Sequence, residues 1–191
     1  MSHVLSTYNI IDVLTAFDVE EILNKYPALS RNRDQPTQLV NSVSTNTIYM
    51  LTTHAHAVYG QGQGGDQGEG GSNLRIKADV NDVIRWRTAS LTDAADYKCF
   101  LYRFKLFSSS TGRDLLGPVT FQTANIAEPY PAQGWPENNK VNEEPTADYY
   151  AQATVLSPGI ETYYFYVAVY DRHAQLKGYF YWDPYININN R

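Results

Sequence analysis

Residues 162–170 read TYYFYVAVY and contain no charged side chain. From Tyr163 onward, odd-numbered positions carry Tyr, Phe, Val and Val, and even-numbered positions from Tyr164 carry Tyr, Tyr, Ala and Tyr. Successive side chains of a β-strand point to opposite faces of the sheet, so this stretch predicts a strand with two apolar faces. A strand of that kind is typical of the interior of a sheet that is covered on both sides.

The segments on either side of this stretch also predict short strands. YYAQATVL (149–156) precedes it, and GYFYW (178–182) follows and runs into YINI (185–188). Further upstream, DVIRWRT (82–88) alternates apolar and basic residues. In KCFLYRFKLF (98–107) the alternation predicts two faces, one with Phe100, Tyr102, Phe104 and Leu106, the other with Arg103 and Lys105.

A single short helix is expected near the N-terminus. In DVEEILNKYP (18–27), Asp18 is an N-cap residue, Glu21 follows three positions later, and Pro27 ends the segment. About ten short strands with Gly, Pro and Asn turns complete the chain. The sequence therefore predicts an all-β fold, an antiparallel, jelly-roll-like β-sandwich with one short N-terminal helix, in a single domain over residues 1–191.

Two segments are expected to be loops. Residues 125–147 contain four prolines, which predicts a long connector and not a central strand. Residues 60–71 hold seven of the twelve glycines and predict an exposed, mobile hairpin loop. They lack the terminal Gly-Lys-Ser/Thr of a phosphate-binding loop, and a strand-like segment follows them where a helix is required.

Composition excludes several classes of protein. With 43% hydrophobic residues and a net charge of -5, the chain is not disordered, and its acidity does not favour nucleic acid as a partner. The sequence contains no run of eighteen apolar residues, so it does not predict insertion into a membrane. The lone Cys99 and the absence of a secretory signal predict a cytoplasmic protein. The 16 tyrosines are an excess, and nine of them lie between Tyr149 and Tyr185.

Three segments resemble, in the same order, the PixA/AidA family of bacterial inclusion-body proteins. They are IIDVLTAFDVEEILNKYP (10–27), LRIKADVNDVIRWRTASL (74–91) and GYFYWDPYINI (178–188). The last is the most specific, because Trp-Asp-Pro inside a run of Tyr and Phe is rare by chance. The resemblance implies a small, soluble, abundant bacterial protein found in intracellular inclusions, without an established enzymatic activity. It implies no particular site residues.

A looser likeness concerns small calcium-dependent, galactose-binding bacterial lectins. It rests on DVIRW (82–86), SLTDAADY (90–97) and the stretch from Phe165 to Ile188. Calcium takes six to eight oxygen ligands, which makes the carboxylates and the amide of these loops candidates. Lys177 opposes a cation there by its charge. The candidate calcium ligands are Asp93, Asp96, Asp171 and Gln175.

Sugar binding calls for aromatic rings that stack on pyranose C–H groups, beside polar groups that bond hydroxyls. Five residues in or beside predicted loops satisfy this requirement. His54 and His56 would share a strand face, but two histidines without a third ligand are a weak metal motif. The candidate sugar-binding residues are Tyr97, Tyr130, Trp135, His173 and Tyr179.

Three functions are compatible with these observations. The first, which we prefer, is a carbohydrate-binding, lectin-like module with glycan partners, assisted by calcium. The second is a storage protein that assembles into homo-oligomers through tyrosine-rich surfaces. The third is a glycoside hydrolase, since two carboxylates could converge in space. No Gly-x-Ser-x-Gly or His-Glu-x-x-His motif is present, and we expect no enzymatic activity.

Overall fold

The computed structural model describes residues 8–58, 70–92, 95–109 and 114–189. Most of the glycine-rich segment, and with it the predicted loop, lies outside these residues. The described part of the chain forms two short helices and eleven strands. In chain order these are β1 (Ile10–Asp18), α1 (Val19–Lys25), β2 (Thr37–Gln38), α2 (Asn41–Thr47), β3 (Ile48–Thr52), β4 (Leu74–Lys77), β5 (Val83–Leu91), β6 (Tyr97–Ser109), β7 (Thr120–Pro131), β8 (Val141–Thr154), β9 (Gly159–Asp171), β10 (Leu176–Trp182) and β11 (Tyr185–Asn189).

The strands form two mixed sheets. The five-stranded sheet has the order β3-β1-β5-β8-β7, and the six-stranded sheet has the order β2-β10-β9-β11-β4, with β6 paired to β9. The mostly-β prediction is confirmed. The expectation of wholly antiparallel pairing is wrong, because β1 pairs with β5, β2 with β10 and β4 with β11 in parallel. A parallel pair needs a long crossover, which short-range turn signals do not reveal.

The central position of β9, predicted from its two apolar faces, is confirmed. β6 pairs with β9 along one edge, while β10 and then β11 pair with it along the other. On the face toward the other sheet, Phe165, Val167 and Val169 are buried completely. On the outer face, Tyr166 is 8% exposed because the rings of Tyr102 and Tyr181 contact it. Ala168, which pairs with Phe100 and Tyr179 on the neighbouring strands, is 5% exposed. The outer face of β9 is therefore shielded from water without a further sheet or helix of the described part of the chain packed on it.

The core lies between the two sheets and is rich in aromatic rings. Trp86 of the five-stranded sheet meets Phe165 of the six-stranded sheet at 6.0 Å between ring centroids. Phe17 of β1 meets Phe180 at 5.7 Å and Trp182 at 5.6 Å in edge-to-face geometry. Contacts of this kind contribute about 0.5–1.5 kcal/mol each beyond the area that they bury.

Cys99 belongs to this core. It is buried beside the sheet interface, and burial raises the pKa of its thiol to about 12. The thiol therefore stays protonated at neutral pH, and it behaves as a small apolar side chain.

β6 departs from the alternation that its sequence predicts. A register shift after Leu101 makes Tyr102 an extra residue, which is a β-bulge. Phe100 and Tyr102 remain on the outer face of the sheet, whereas Phe104 turns into the core beside Trp86. Arg103 joins the outer face and lies over the ring of Tyr166. The expected grouping of Phe104 with Phe100 is therefore wrong.

The predicted helix is confirmed, and the structure adds a second helix that the sequence pattern does not predict. In α1 the Asp18 carboxylate accepts a hydrogen bond from the Glu21 N–H at 3.0 Å, as the N-cap pattern predicts. α2 has the sequence NSVSTNT, whose residues are poor helix formers. Its side chains bond back to its own turn, for example Thr47 Oγ1 to the Val43 carbonyl at 2.8 Å. Ser44 and Thr47 are the buried residues of this helix.

The proline-rich segment is a projecting β-hairpin, so the prediction of a connector is wrong. β7 and β8 pair in continuous register from Thr120↔Gln152 to Pro131↔Val141. Proline is tolerated because these strands lie at a sheet edge, where one row of N–H groups has no ladder partner. We call residues 125–147 the arm. Every arm residue is exposed except Ala132 and Thr146, which are intermediate.

Candidate functional site

The outer face of the six-stranded sheet collects six half-buried or buried tyrosines, which we call the tyrosine face. Alternation along β9 and β10 points every second side chain away from the core, and the bulge in β6 adds another ring. The rings touch one another: Tyr166 and Tyr181 stack at 5.3 Å, and Tyr164 meets Tyr181 at 5.2 Å. The members are Tyr102, Tyr164, Tyr166, Tyr170, Tyr179 and Tyr181.

Two arginines lie over this face. The guanidinium carbon of Arg103 is 4.1 Å from the ring centroid of Tyr166, and that of Arg33 is 5.1 Å from the ring centroid of Tyr102. The Arg33 carbonyl accepts hydrogen bonds from the Tyr102 hydroxyl at 2.9 Å and from the Arg103 guanidinium at 3.0 Å. These bonds fix the segment around Arg33 against β6, so the cations are held above the rings.

The face is positively charged on a chain that is acidic overall. Lys98 and Lys105 are exposed on β6 opposite Tyr170 and Tyr164, and they lie on the same side as Arg103. Two carboxylates offset part of this charge: that of Asp34 lies 3.5 Å from the Arg103 guanidinium, and that of Asp183 acts on Tyr181. The tyrosine face therefore suits partners that carry negative charge beside apolar or aromatic groups.

The hydroxyls of Tyr102, Tyr170 and Tyr181 stay protonated at neutral pH. Removal from water, partly offset by the Arg103 charge, raises the pKa of Tyr102. Removal from water and the neighbouring tyrosines raise the pKa of Tyr170 and of Tyr181. These phenols are therefore available as neutral hydrogen-bond donors and acceptors.

The loops predicted to bind calcium lie together, with their charges already paired. The Arg172 N–H donates to the Asp96 carbonyl at 2.9 Å, and its guanidinium lies 3.3 Å from the Asp96 carboxylate. Asp171 accepts hydrogen bonds from the N–H groups of Gln175 and His173, both at 2.9 Å. These bonds, that of Gln175 first, lower the pKa of Asp171.

Calcium binding at these loops stays a prediction. Lys177 Nζ lies 4.0 Å from the second carboxylate oxygen of Asp171. A calcium ion at that oxygen would compete with the lysine. Among the described residues, no group of three or more His, Cys, Asp or Glu side chains could hold a metal ion. Asp93 lies outside the described residues.

The candidate sugar-binding residues lie in three places. Trp135 and Tyr130 are exposed on the arm, at its tip and its distal strand pairs. His173 is exposed in the turn after β9, and Tyr97 pairs with Asp171 at the start of β6. Tyr179 belongs to the tyrosine face and meets Tyr102 at 5.3 Å. The five residues therefore do not form one site.

The two arginines that lie over the tyrosine face are not identifiable from the sequence pattern. Arg33 lies in a polar connector between α1 and β2, where nothing in the pattern marks it. The local alternation places Arg103 on a side of β6 without aromatic neighbours, because the bulge at Tyr102 depends on pairing with β9. The useful signal is the clustering of tyrosines in the last third of the chain.

Two other groups of polar residues, around Arg87 and at His56, make contacts that tie strands together or orient a side chain within the fold. Arg87 bonds Asp148 through two nitrogens at 2.8–3.0 Å and also contacts Asp12, which ties β1, β5 and β8 together. A shallow depression of about 260 Å³ lies beside it, between β1 and β3. His56 Nδ1 lies 3.3 Å from the Lys77 carbonyl, a contact that orients the ring toward β4.

Comparison with known proteins identifies the family. Residues 9–188 match the family model described as PixA, inclusion body protein. A crystal structure of a PixA inclusion body protein from Burkholderia cenocepacia J2315 has a TM-score of 0.74 at 22% identity, covering 98% of this chain and 100% of that one.

A structure of PbICP-C in complex with falcipain-2 has a TM-score of only 0.27 at 9% identity, covers 61% of this chain and 88% of that one, and supports no argument. No curated protein matches the chain. Among the described residues, no helix is long and apolar enough to cross a membrane. Because the family model spans nearly the whole length, the chain belongs to the PixA family of inclusion body proteins.

Proposed function

We propose that the protein is a non-catalytic subunit that assembles with further copies of itself into inclusions. The arm carries this proposal. It extends over seven register pairs, from Asn125↔Ala147 to Pro131↔Val141, which is about 23 Å of a ribbon with only two strands. An isolated two-stranded ribbon is marginally stable in water, so the arm is expected to be covered by a partner.

The arm exposes apolar side chains on both of its faces. Alternation places Ile126 and Tyr130 on one face, and the other face carries alanine, proline and valine side chains. Apolar side chains clustered on a protruding element are typical of association surfaces. The exposed fractions are 44% for Ile126, 41% for Tyr130, 46% for Trp135 and 54% for Val141.

Sedimentation velocity over a concentration series tests assembly. We expect the weight-average mass to rise above 21.6 kDa as the protein concentration increases. As a matched variant, residues 126–146 are replaced by a two-residue Asn-Gly turn, which closes the hairpin at the Asn125↔Ala147 pair and leaves its packed base intact. This variant should fold and remain monomeric. A wild-type protein that is monomeric at every concentration would contradict the proposal.

Carbohydrate binding, assisted by calcium, is a second candidate. Two observations favour it: Trp135 presents an exposed ring at the tip of the arm, and the loops of Asp96 and Asp171 lie together. Binding to a glycan array with and without a chelator tests it. We expect Asp171→Ala to abolish binding and Trp135→Ala to weaken it, while Lys25→Ala on α1 has no effect. Absence of any bound sugar in both conditions would exclude this function.

A further inference from the structure

We propose that the arm of one copy docks on the tyrosine face of a second copy, so that subunits join head to tail. The inference rests on the proposed function and specifies the two surfaces that meet. It follows from the charges of those surfaces, from the exposure of the arm, and from the chemistry of the residues on each side.

The arm is an acidic surface. It carries Glu128, Glu137, Glu143 and Glu144 against one basic residue, Lys140. Glu128 and Glu144 lie directly opposite each other in the β7–β8 register, and like charges in that position destabilise a strand pair. Within the described residues, neither carboxylate forms an ion pair. A cationic partner would relieve this repulsion.

The tyrosine face supplies the complementary charge. Lys98, Arg103 and Lys105 follow one another along the outer side of β6, and Arg33 lies beside them over Tyr102. Asp34 offsets only one of these cations. Tyrosine and arginine are also the residue types that are enriched where protein surfaces meet. Ile126 and Tyr130 flank the two glutamates on the arm and would pack on the tyrosine rings.

The arm does not occupy its own tyrosine face. The parts of β7 and β8 that precede and follow the arm pack on β6, where Phe121 meets Phe104 at 6.2 Å and the Tyr149 hydroxyl donates to the Leu101 carbonyl at 2.8 Å. Beyond Asn125 the two strands are paired to each other and their side chains are exposed. The tyrosine face that an arm can cover is therefore that of another copy.

Contact between two different surfaces has a consequence for growth. Each copy that donates its arm keeps a free tyrosine face, and each copy that accepts an arm keeps its own arm free. Such heterologous contacts extend by addition of subunits unless they close into a ring. An open-ended contact of this kind would build particles by stepwise addition of subunits.

Charge reversal on each surface tests the proposal. The arm variant carries Glu128→Lys and Glu144→Lys, and the face variant carries Lys98→Glu and Lys105→Glu; all four side chains are exposed, so both variants should keep the wild-type melting temperature. In sedimentation velocity we expect each variant alone to be monomeric at concentrations where wild-type protein assembles, with association weakened at least tenfold. Lys25→Glu, on an exposed lysine of α1 outside both surfaces, should assemble like wild type.

Mixing the two variants separates head-to-tail docking from other arrangements. In an equimolar mixture the intact face of the arm variant should accept the intact arm of the face variant, and the reversed arm should likewise complement the reversed face, so the two variants should assemble together although neither assembles alone. Combining all four reversals in one chain should restore assembly. If the face variant assembles like wild type, or the mixture stays monomeric, arm-to-face docking is wrong. If wild-type protein itself is monomeric, the proposed function fails instead.

Discussion

Gly178→Ala is expected to lower the free energy of unfolding by about 4 kcal/mol and the melting temperature by about 10 °C. A Cβ added at Gly178 would lie 2.4 Å from the Cβ of Leu29, a distance that no side-chain rotation can relieve. The backbone there also has φ +153°, which residues with a Cβ rarely adopt. Both effects act at one position, and thermal unfolding followed by circular dichroism measures their sum.

Leu29 lies close to Gly178 because two segments of the backbone are hydrogen-bonded there. The Tyr179 N–H donates to the Ser30 carbonyl at 2.8 Å, so the chain after α1 runs directly against β10. A register shift between Leu176 and Gly178 bends β10 at the same point. The glycine of the GYFYWDP motif is thus required by the fold, because only a residue without a side chain allows this contact.

Substitutions at two other glycines separate the effect of the close contact with Leu29 from the effect of backbone strain. Gly70 has φ +90° with nothing within 4 Å of an added Cβ, so Gly70→Ala should cost only about 1 kcal/mol of backbone strain. At Gly117 the nearest atom, the Thr154 carbonyl oxygen, is 3.6 Å away, an ordinary contact, and Gly117→Ala should change stability by less than about 1 kcal/mol. If Gly178→Ala is no worse than Gly70→Ala, the approach of Leu29 is not a rigid constraint.

The features that the sequence predicts correctly are those that depend on near neighbours. The alternation in β9 and the cap at Asp18 are read within a few residues, and both are confirmed. The parallel pairing of β1 with β5 and the bulge at Tyr102 depend on contacts between distant segments. They therefore leave no periodic signal, and local patterns cannot locate them.

The candidate site, like the fold, can be predicted from the sequence only in part. The abundance of tyrosine and its concentration in the last third of the chain are sequence features, and they point to one surface. The cations that define the charge of that surface come from a connector and from beside a bulge, where no local pattern marks them. The prolines of the arm weaken its strand pattern and so predict a connector, although a sheet edge tolerates them.

Trp182→Ala is expected to lower the free energy of unfolding by about 4 kcal/mol, since replacement of a buried Trp by Ala leaves a cavity that the surroundings fill only in part. Trp182 is 1% exposed and joins the two sheets, with Phe17 of the five-stranded sheet at 5.6 Å and Phe165 of its own sheet at 5.1 Å. Both edge-to-face contacts disappear in the variant. Denaturant unfolding measures the loss as a lower midpoint with an unchanged slope.

Trp135 provides the matched control, because the same substitution at an exposed ring separates burial from residue type. Trp135 has 46% of its surface exposed at the tip of the arm. Trp135→Ala should therefore change the free energy of unfolding by less than about 0.5 kcal/mol. Trp182→Phe should lie between the two, since it keeps an aromatic ring but removes the Nε1–H that approaches the Ser72 carbonyl at 3.4 Å. If Trp182→Ala were no more destabilising than Trp135→Ala, the sheets would not be held together through Trp182. The Trp-Asp-Pro segment would then owe its place in the sequence to something other than the core.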